Sequence, residues 1–186
     1  MKPHKTIYTG YREKGYAMKI LLVAINAKYI HSNLAIHSLC AYAKRQIGTS
    51  GVEIETAEYT VNLRAEEILQ DIYRKSPDVL CFSCYIWNIE YIRYLIADLG
   101  KILPDVPIWL GGPEVSFDAA KVLGELPEAT GVMKGEGEET FAQLAGYYVD
   151  KLCEKGTDSG KILPDGQACL ENIPGLVFRL PDGSLA

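Results

Sequence analysis

The sequence predicts a doubly wound α/β fold: a parallel five-stranded sheet of order 2-1-3-4-5 with helices on both faces, followed by a C-terminal β-hairpin. Two mainly apolar runs, 19–25 and 78–84, are typical of strands buried on both faces of a sheet. From Met18 onward, strands alternate with segments of helical spacing through short connections, which indicates parallel pairing. A chain of 186 residues with 48% hydrophobic content can bury the core of one such domain.

Strands and helices follow one another regularly along the chain. The predicted strands are 19–25, 52–59, 78–84, 107–110 and 130–134. The predicted helices are 33–47, 63–75, 89–103, 116–125 and 138–151. Strand 52–59 alternates between apolar and polar residues, which favours a position near the edge of the sheet. In this strand order the connections reverse direction between strands 1 and 3, and ligands bind beyond the carboxyl ends of the strands at that point.

The predicted domain covers residues 18–155, and both ends of the chain lie outside it. Residues 1–17 show no periodicity, and we expect a flexible N-terminal extension there. Residues 156–170 are rich in Gly, Asp and Lys, as connectors are. The following "IPGLVFRLPDGSLA" predicts a strand, a Pro-Asp-Gly turn and the start of a second strand. We therefore interpret 156–186 as a linker and a truncated hairpin that lead to a further domain beyond Ala186.

Composition and charge exclude several classes of partner. The net charge is −5 and no cluster of Lys and Arg stands out, which argues against nucleic-acid binding. No apolar stretch approaches the ~20 residues of a transmembrane helix, so we expect no membrane partner. Five cysteines, an odd number, occur without an export signal, which predicts reduced thiols and a cytoplasmic location.

Cys81 and Cys84 form a Cys-x-x-Cys pair, which has two interpretations. One is a redox or metal site, and the other is a buried strand with two structural thiols. Residues three apart on a strand face opposite sides of the sheet, so the thiols of a strand cannot converge on one metal ion. We favour the structural interpretation.

The loops at the strand ends lack several well-known ligand motifs. The loop after strand 1, "NAKYIHSN", contains no glycine and therefore no dinucleotide-binding Gly-x-Gly-x-x-Gly. Strand 1 ends in Asn26 and strand 3 in Cys84-Tyr85, so the phosphorylated aspartate of a response-regulator receiver is also missing. We find no acid–base pair or activated nucleophile at these ends, and we predict no catalytic residue.

Two glycine-containing loops remain as candidate ligand contacts. Strand 4 stops at Gly111-Gly112, where glycines either permit a turn or let a bulky group approach the backbone. Their position at a switch-point crevice favours a ligand. After strand 5, "GEGEE" places Glu136, Glu138 and Glu139 at a helix start, where acidic residues compensate the helix dipole and repel phosphate. A ligand resting there should offer hydroxyl or amide donors.

Four segments in order resemble a known family. The segments "PDVLCFSCYIWN", "PDVPIWLGGPEVSFDA", "GVMKGEGEETFAQL" and "IPGLVFR" together resemble the N-terminal cobalamin-binding domain of B12-binding radical SAM proteins. The resemblance covers about residues 18–180. The opening "AINAKYIHSNLAI" resembles a subgroup of these proteins whose reaction is unassigned.

The resemblance implies a flavodoxin-like (Rossmann-like) fold that holds cobalamin against a radical SAM domain following in the parent chain. It implies that the nucleotide tail of the cofactor lies between strands 1 and 3, with Ser83 and Tyr85 lining it, and that the corrin ring caps the strand ends. The two glycines of strand 4 would pass beneath the tail, and 135–137 would close its far side. The candidate cofactor-binding residues are Asn26, His31, Ser83, Tyr85, Gly111, Gly112, Glu114, Gly135, Glu136 and Gly137.

Two motifs of related enzymes are absent from this chain. Cobalamin domains of mutases carry Asp-x-His-x-x-Gly, whereas here Tyr29 and Leu34 flank His31 at the Asp and Gly places. Without the carboxylate that orients the imidazole, we assign no metal ligand. The Cys-x-x-x-Cys-x-x-Cys of a radical SAM cluster is also missing, so the resemblance implies that the [4Fe-4S] cluster and S-adenosylmethionine belong to the parent protein only.

Two functions remain open at the sequence level. The first is a cobalamin-binding module of a B12-dependent radical SAM enzyme, whose parent would catalyse methyl transfer or a radical rearrangement. The second is a degenerate domain without cofactor that serves as a docking or substrate-recognition element for the radical SAM barrel. The bulky residues Tyr85, Ile86 and Trp87 would favour the second if they filled the crevice.

Overall fold

The structure is a computed structural model that describes residues 18–48, 51–156 and 169–186, with 152–156 described through their backbone alone. The strands are β1 (Met18–Asn26), β2 (Val52–Thr60), β3 (Val79–Ser83), β4 (Ile108–Gly111), β5 (Gly131–Met133) and β6 (Leu176–Phe178). The helices are α1 (Leu34–Ile47), α2 (Ala65–Lys75), α3 (Ile89–Ile102), α4 (Pro113–Ser116), α5 (Ala119–Glu125) and α6 (Gly137–Gly156). A short 3₁₀ turn, Leu170–Asn172, precedes β6.

The strands form one sheet in the order β2-β1-β3-β4-β5-β6. The first five pair in parallel, which confirms the predicted fold class and the order 2-1-3-4-5. The register places four residues in one row near the carboxyl ends of the inner strands: Ala24, Ser83, Gly111 and Met133. Two of the candidate residues are therefore direct neighbours across β3 and β4.

The sheet separates two apolar cores. On one face, α1 and α6 contribute Ile36 and Phe141 to a core with alternate strand residues such as Leu22 and Trp109. On the other face, α2, α3, α4 and α5 pack against the intervening strand residues. Cys81 lies in the first core and Cys84 in the second, and both are free thiols, which agrees with the structural interpretation of the Cys-x-x-Cys pair.

The predicted C-terminal hairpin is present and extends the sheet. Its first strand, β6, pairs antiparallel with β5, a pairing that the sequence analysis did not assign. Its second strand returns as far as Ala186, whose amide and carbonyl pair with Phe178. The predicted N-terminal extension, 1–17, and most of the predicted connector lie outside the described residues.

The helix predicted over 116–125 is present as α5, Ala119–Glu125, but it begins later than predicted, and a separate four-residue helix, α4, precedes it at Pro113–Ser116. Pro113 follows Gly112 at the first helical position, where its fixed φ favours an early helix start. Asp118, with φ −128° and ψ 58°, is not helical and separates α4 from α5. Across 18–48, 51–156 and 169–186, no helix is both long and apolar enough to cross a bilayer.

Candidate functional site

A cavity of about 410 Å³ opens at the carboxyl edge of the sheet, on the face covered by α1 and α6. We call it the slot. Its floor includes Leu22, Cys81, Ser83, Gly111 and Met133, which come from four adjacent strands. One wall is α1 and the other is the loop that leads into α6. The slot thus lies at the point where the strand order reverses, the position at which open α/β sheets bind ligands.

Gly111 leaves room above the floor of the slot. A β-carbon built on Gly111 meets nothing closer than the Met133 Cε, at 3.6 Å, which is ordinary van der Waals contact. The absence of a side chain in the row between Ser83 and Met133 therefore keeps the floor low. A larger residue at 111 would project into the slot.

Gly112 has a different physical role, because its backbone conformation excludes other residues. Its φ is +106°, and a β-carbon there would lie 2.4 Å from the carbonyl oxygen of Cys84. The Cys84 amide meanwhile donates to the carbonyl of Gly111, at 2.7 Å. Gly112 also lines the slot, but the close approach of two strand ends is enough to require glycine.

The far wall of the slot is the predicted Gly-Glu-Gly stretch. Gly135 has a φ of +75°, with no atom near the position of a β-carbon, and Glu136 is exposed at the mouth. A β-carbon on Gly137 would come within 3.1 Å of Leu39, so this glycine lets α6 approach α1 closely. The Ser38 hydroxyl donates to Glu138 Oε1 at 2.9 Å and ties the two helices together beside the mouth.

Two buried asparagines fix the end of β3. Asn88 donates from Nδ2 to the carbonyl oxygens of Ile25 and Ser83, each at 3.0 Å, and accepts from the Tyr85 amide at 2.8 Å. Asn33 caps α1 by accepting from the Ile36 amide, and its Nδ2 lies 3.4 Å from Ser83 Oγ. All polar atoms of the Asn88 side chain are thereby paired, which holds Ser83 and Tyr85 at the slot.

The loop between β1 and α1 is held by Glu58, which projects from β2. Its carboxylate accepts from Asn26 Nδ2, Ser32 Oγ and the Asn33 amide at 2.7 to 2.8 Å, and His37 Nε2 lies 2.7 Å from it. Burial alone would raise the pKa of Glu58, but these hydrogen bonds outweigh it and lower the pKa to about 2. The loop is therefore fixed by an ionised carboxylate.

The structure brings seven of the ten candidate residues together and separates three. Ser83, Tyr85, Gly111, Gly112, Gly135, Glu136 and Gly137 all line the slot. Asn26 and His31 line a second pocket beyond the ends of β1 and β2, where Asn26 donates to the carbonyl of His31 at 2.8 Å. Glu114 is exposed on α4 and lines neither pocket.

The residues that sequence reasoning did not select are apolar or distant in the chain. Leu22, Leu39 and Met133 line the slot, but an apolar residue facing a cavity has the same sequence pattern as one in a core. Glu58 lies on an edge strand and contacts the β1–α1 loop only in the folded chain. Apolar and polar residues alternate in β2, so Glu58 and Ala57 face opposite sides of the sheet. This alternation was the sequence signal that could have identified Glu58.

Exposed apolar side chains follow the carboxyl ends of β1, β3 and β4 along the chain. Together they form what we call the rim, and its members are Tyr29, Ile30, Leu34, Ile86, Trp87 and Phe117. Phe117 is 97% exposed and Tyr29 is 91% exposed. The Trp87 ring stacks on Tyr85, with ring centroids 4.5 Å apart and planes within 10°. Exposed apolar side chains that form a contiguous patch are typical of interaction surfaces.

Curated relatives match parts of the chain. It is 32% identical over 68 residues to the cobalamin-dependent radical SAM methyltransferase TokK of Streptomyces tokunonensis, covering 37% of this chain and 10% of that protein. It is 29% identical over 137 residues to an uncharacterized methyltransferase of Pyrococcus horikoshii, covering 64% of this chain and 28% of that protein. The chain therefore spans less than a third of the length of these relatives.

The fold is shared with a solved radical SAM enzyme. The methyltransferase TsrM of Kitasatospora setae, with tryptophan and an S-adenosylmethionine analogue bound, superposes with a TM-score of 0.60 at 18% identity. The match covers 89% of this chain and 29% of TsrM. A second TsrM structure, with cobalamin and a [4Fe-4S] cluster bound, gives a TM-score of 0.56. The model of the B12 binding domain family matches residues 20–145, well over half of the sequence, and this chain belongs to that family.

Proposed function

We propose that this chain binds cobalamin, with the nucleotide tail of the cofactor in the slot and the corrin ring over the carboxyl ends of the strands. The observation that carries the proposal is the open volume of about 410 Å³ above Gly111. A β-carbon at that position would point into space that no protein atom occupies within 3.6 Å. A flat, chain-like group fits such a cradle, and membership of the B12 binding domain family supports this choice of group.

The proposal gives each slot residue a role. Ser83 and Tyr85 would line the tail, and Gly111 and Gly112 would lie beneath it. Gly135 and Gly137 would close the far side, where they keep the wall thin. Glu136 would accept hydrogen bonds from hydroxyl or amide donors of the cofactor, because an exposed carboxylate at the mouth disfavours a second anion.

The β1–α1 loop would support the cofactor without a protein ligand to cobalt. The main chain of His31 is held by Asn26, while its imidazole is exposed. The carboxylate of Glu58, which projects from β2 to this loop, already accepts hydrogen bonds from Ser32 and Asn33 and lies beside His37. A histidine ligand needs a partner that orients its ring, and the network here orients His37 instead.

We further propose that the parent protein continues into a radical SAM domain that carries the [4Fe-4S] cluster and S-adenosylmethionine. The chain spans only part of its relatives, and the rim offers an apolar surface next to the proposed corrin site. Bound cobalamin would supply methyl-transfer or radical chemistry to the parent, while this domain positions it. We also place the parent in the cytoplasm, because Cys40, Cys81, Cys84 and Cys169 are free thiols.

The alternative of a degenerate docking domain predicts that aromatic residues fill the crevice. Ile86 is 78% exposed and Trp87 is 50% exposed, and neither lines the slot. Tyr85 lines the slot without closing it. These positions favour the cofactor-binding proposal.

Gel filtration of the chain with hydroxocobalamin tests the proposal. We expect corrin absorption to elute with the protein after excess cofactor has been separated. A colourless protein peak at saturating cofactor would contradict it. Heat-unfolded protein serves as the control for non-specific adsorption.

A further inference from the structure

A second groove runs along the outer face of α2, on the side of the sheet opposite to the slot. It has a volume of about 580 Å³ and is lined by residues of α2 and the last residue of α3: Glu66, Leu69, Gln70, Tyr73, Arg74 and Ile102. We call it the α2 groove. Because α1 and α6 form the walls of the slot on the other face, the α2 groove is separate from the proposed cofactor site.

The α2 groove has an apolar floor that remains in contact with solvent. Ile68 and Ile72 turn inward and are fully buried against the sheet. On the outer side, Leu69 is only half-buried, Tyr73 is 42% exposed and Ile102 is 40% exposed. Leu69 and Tyr73 are four residues apart and therefore lie in one row along the helix. Such a row of exposed apolar side chains is typical of an interaction surface.

A second row on the same helix carries opposite charges at its two ends. Glu66, Gln70 and Arg74 follow one another at intervals of four residues, with the amide between the two charges. Glu67 and Lys75 are engaged in salt bridges within the chain, whereas Glu66 and Arg74 form none with any residue of the described ranges. An acidic start and a basic end also compensate the helix dipole. The row is complementary to itself when it is reversed.

We propose that the α2 groove binds a second copy of the chain, with the two α2 helices antiparallel about a twofold axis. A twofold axis brings each residue at one end of the row opposite the residue at the other end in the second copy. Glu66 of each copy would then meet Arg74 of the other, so the charge pair would form twice. Gln70 would meet Gln70 of the second copy, and two amides can each donate and accept. The inference does not depend on cofactor binding.

The antiparallel arrangement is favoured over a parallel one. With the helices parallel, Glu66 would face Glu66 and Arg74 would face Arg74, and like charges at an interface repel. Antiparallel packing instead pairs the charges and covers the apolar floor of both grooves, which removes apolar surface from water. The groove is smaller than a standard interface, so we expect a dissociation constant on the order of 100 µM.

This contact would leave the cofactor site accessible in both copies. The slot opens on the face of α1 and α6, and α2 lies on the opposite face of the sheet. Trp87 of the rim precedes α3, whereas Ile102 ends this 14-residue helix, ~20 Å further along it. A dimer of this kind could therefore hold two cofactors at once.

Sedimentation equilibrium of the full chain over a range of about 5 to 500 µM tests for the dimer. We expect a reversible equilibrium between monomer and dimer, with and without added hydroxocobalamin. A monomer at every concentration would overturn the proposal and assign the α2 groove to another part of the parent protein or to a different partner.

Two charge-reversal variants test which face forms the dimer. Arg74→Glu and Glu66→Arg each place like charges at both contacts, and each should weaken self-association at least about tenfold. In an equimolar mixture of the two variants, acid again meets base at both contacts, so the mixed dimer should recover the wild-type affinity. Glu66→Arg reduces the net negative charge, so its weakening cannot come from overall repulsion.

Arg45→Glu is the matched control, because Arg45 lies in the last turn of α1 on the opposite face of the sheet. It makes the same charge change as Arg74→Glu and should leave self-association unchanged. All substituted side chains are exposed, so we expect the variants to fold, which thermal melting checks. Undiminished dimers of either single variant, or no recovery in the mixture, would overturn the antiparallel α2 contact.

Discussion

Gly112 lies against the backbone of Cys84 so closely that a β-carbon at 112 would come within 2.4 Å of the Cys84 carbonyl oxygen. The neighbouring Gly111 has open surroundings, because a β-carbon built there would lie 3.6 Å from its nearest neighbour, the Met133 Cε. The two glycines that end β4 are therefore not equivalent. One joins the ends of two strands, and the other keeps the floor of the slot low.

This difference predicts that alanine lowers stability much more at 112 than at 111. Gly112→Ala combines a positive φ with a backbone overlap, and we expect it to lower the free energy of unfolding by about 3 kcal/mol. Gly111→Ala adds a methyl group in open space and should cost less than about 1 kcal/mol. Urea unfolding of the two variants measures both values. Similar losses in the two variants would show that the overlap at Gly112 is relieved by movement of β3.

The lowered pKa of Glu58 predicts that its contribution to stability depends on pH. Its pKa is about 2 in the folded chain and 4.5 ordinarily, so the folded state favours the ionised form. The contribution is present above pH 4.5 and is lost as the pH falls toward 2. After allowance for solvent screening of this partly exposed group, we expect Glu58→Gln to cost about 1 kcal/mol at pH 7.

The difference in unfolding free energy between the wild type and Glu58→Gln should shrink as the pH falls from about 5 toward 3, because the carboxylate begins to take up a proton on unfolding below pH 4.5. Glu53→Gln changes the same charge on the same strand and controls for net charge. A difference between wild type and Glu58→Gln that stays constant with pH would contradict the assigned network.

The two cysteines of the Cys-x-x-Cys pair should be unreactive in the folded chain. Burial raises the pKa of the Cys84 thiol to about 12 and raises that of Cys81 as well. The thiolate is the reactive form, so alkylation at pH 8 should be slow at both sites. Cys40 and Cys169 are partly exposed and serve as internal references.

Site-resolved mass spectrometry after iodoacetamide treatment measures these rates. We expect Cys81 and Cys84 to label fully only in denaturant. Labelling of either one as fast as Cys40 would mean that the strand opens readily or, for Cys81 alone, that the thiol is accessible from the slot.

The sequence predicted the fold well, because its main signals are local. Apolar runs and helical spacing identify strands and helices, and alternation with short connections then restricts the sheet to a parallel order. The meeting of Ser83 and Gly111 at one edge follows from that order alone. The position of β6 depended on pairing with β5, for which the sequence carries no local signal.

The site was predicted less completely, since its remaining contacts are long-range. Asn26 ends β1 as predicted, but its amide is used by Glu58 and the His31 carbonyl rather than turned to the slot. Leu39 reaches the slot because Gly137 lets α6 approach α1. Neither relationship can be read from spacing along the chain.

The measurement that tests the central claim most directly is the affinity of the full chain for hydroxocobalamin in the wild type, Gly111→Ala and Gly111→Phe. The phenylalanine ring would enter the slot above the floor, while the alanine methyl group leaves most of it open. We expect equimolar binding by the wild type, at most a few-fold weakening by Gly111→Ala, and a loss of at least about a hundredfold in a folded Gly111→Phe, equivalent to ~2.7 kcal/mol. Undiminished binding by folded Gly111→Phe would contradict the claim that the slot holds the cofactor tail.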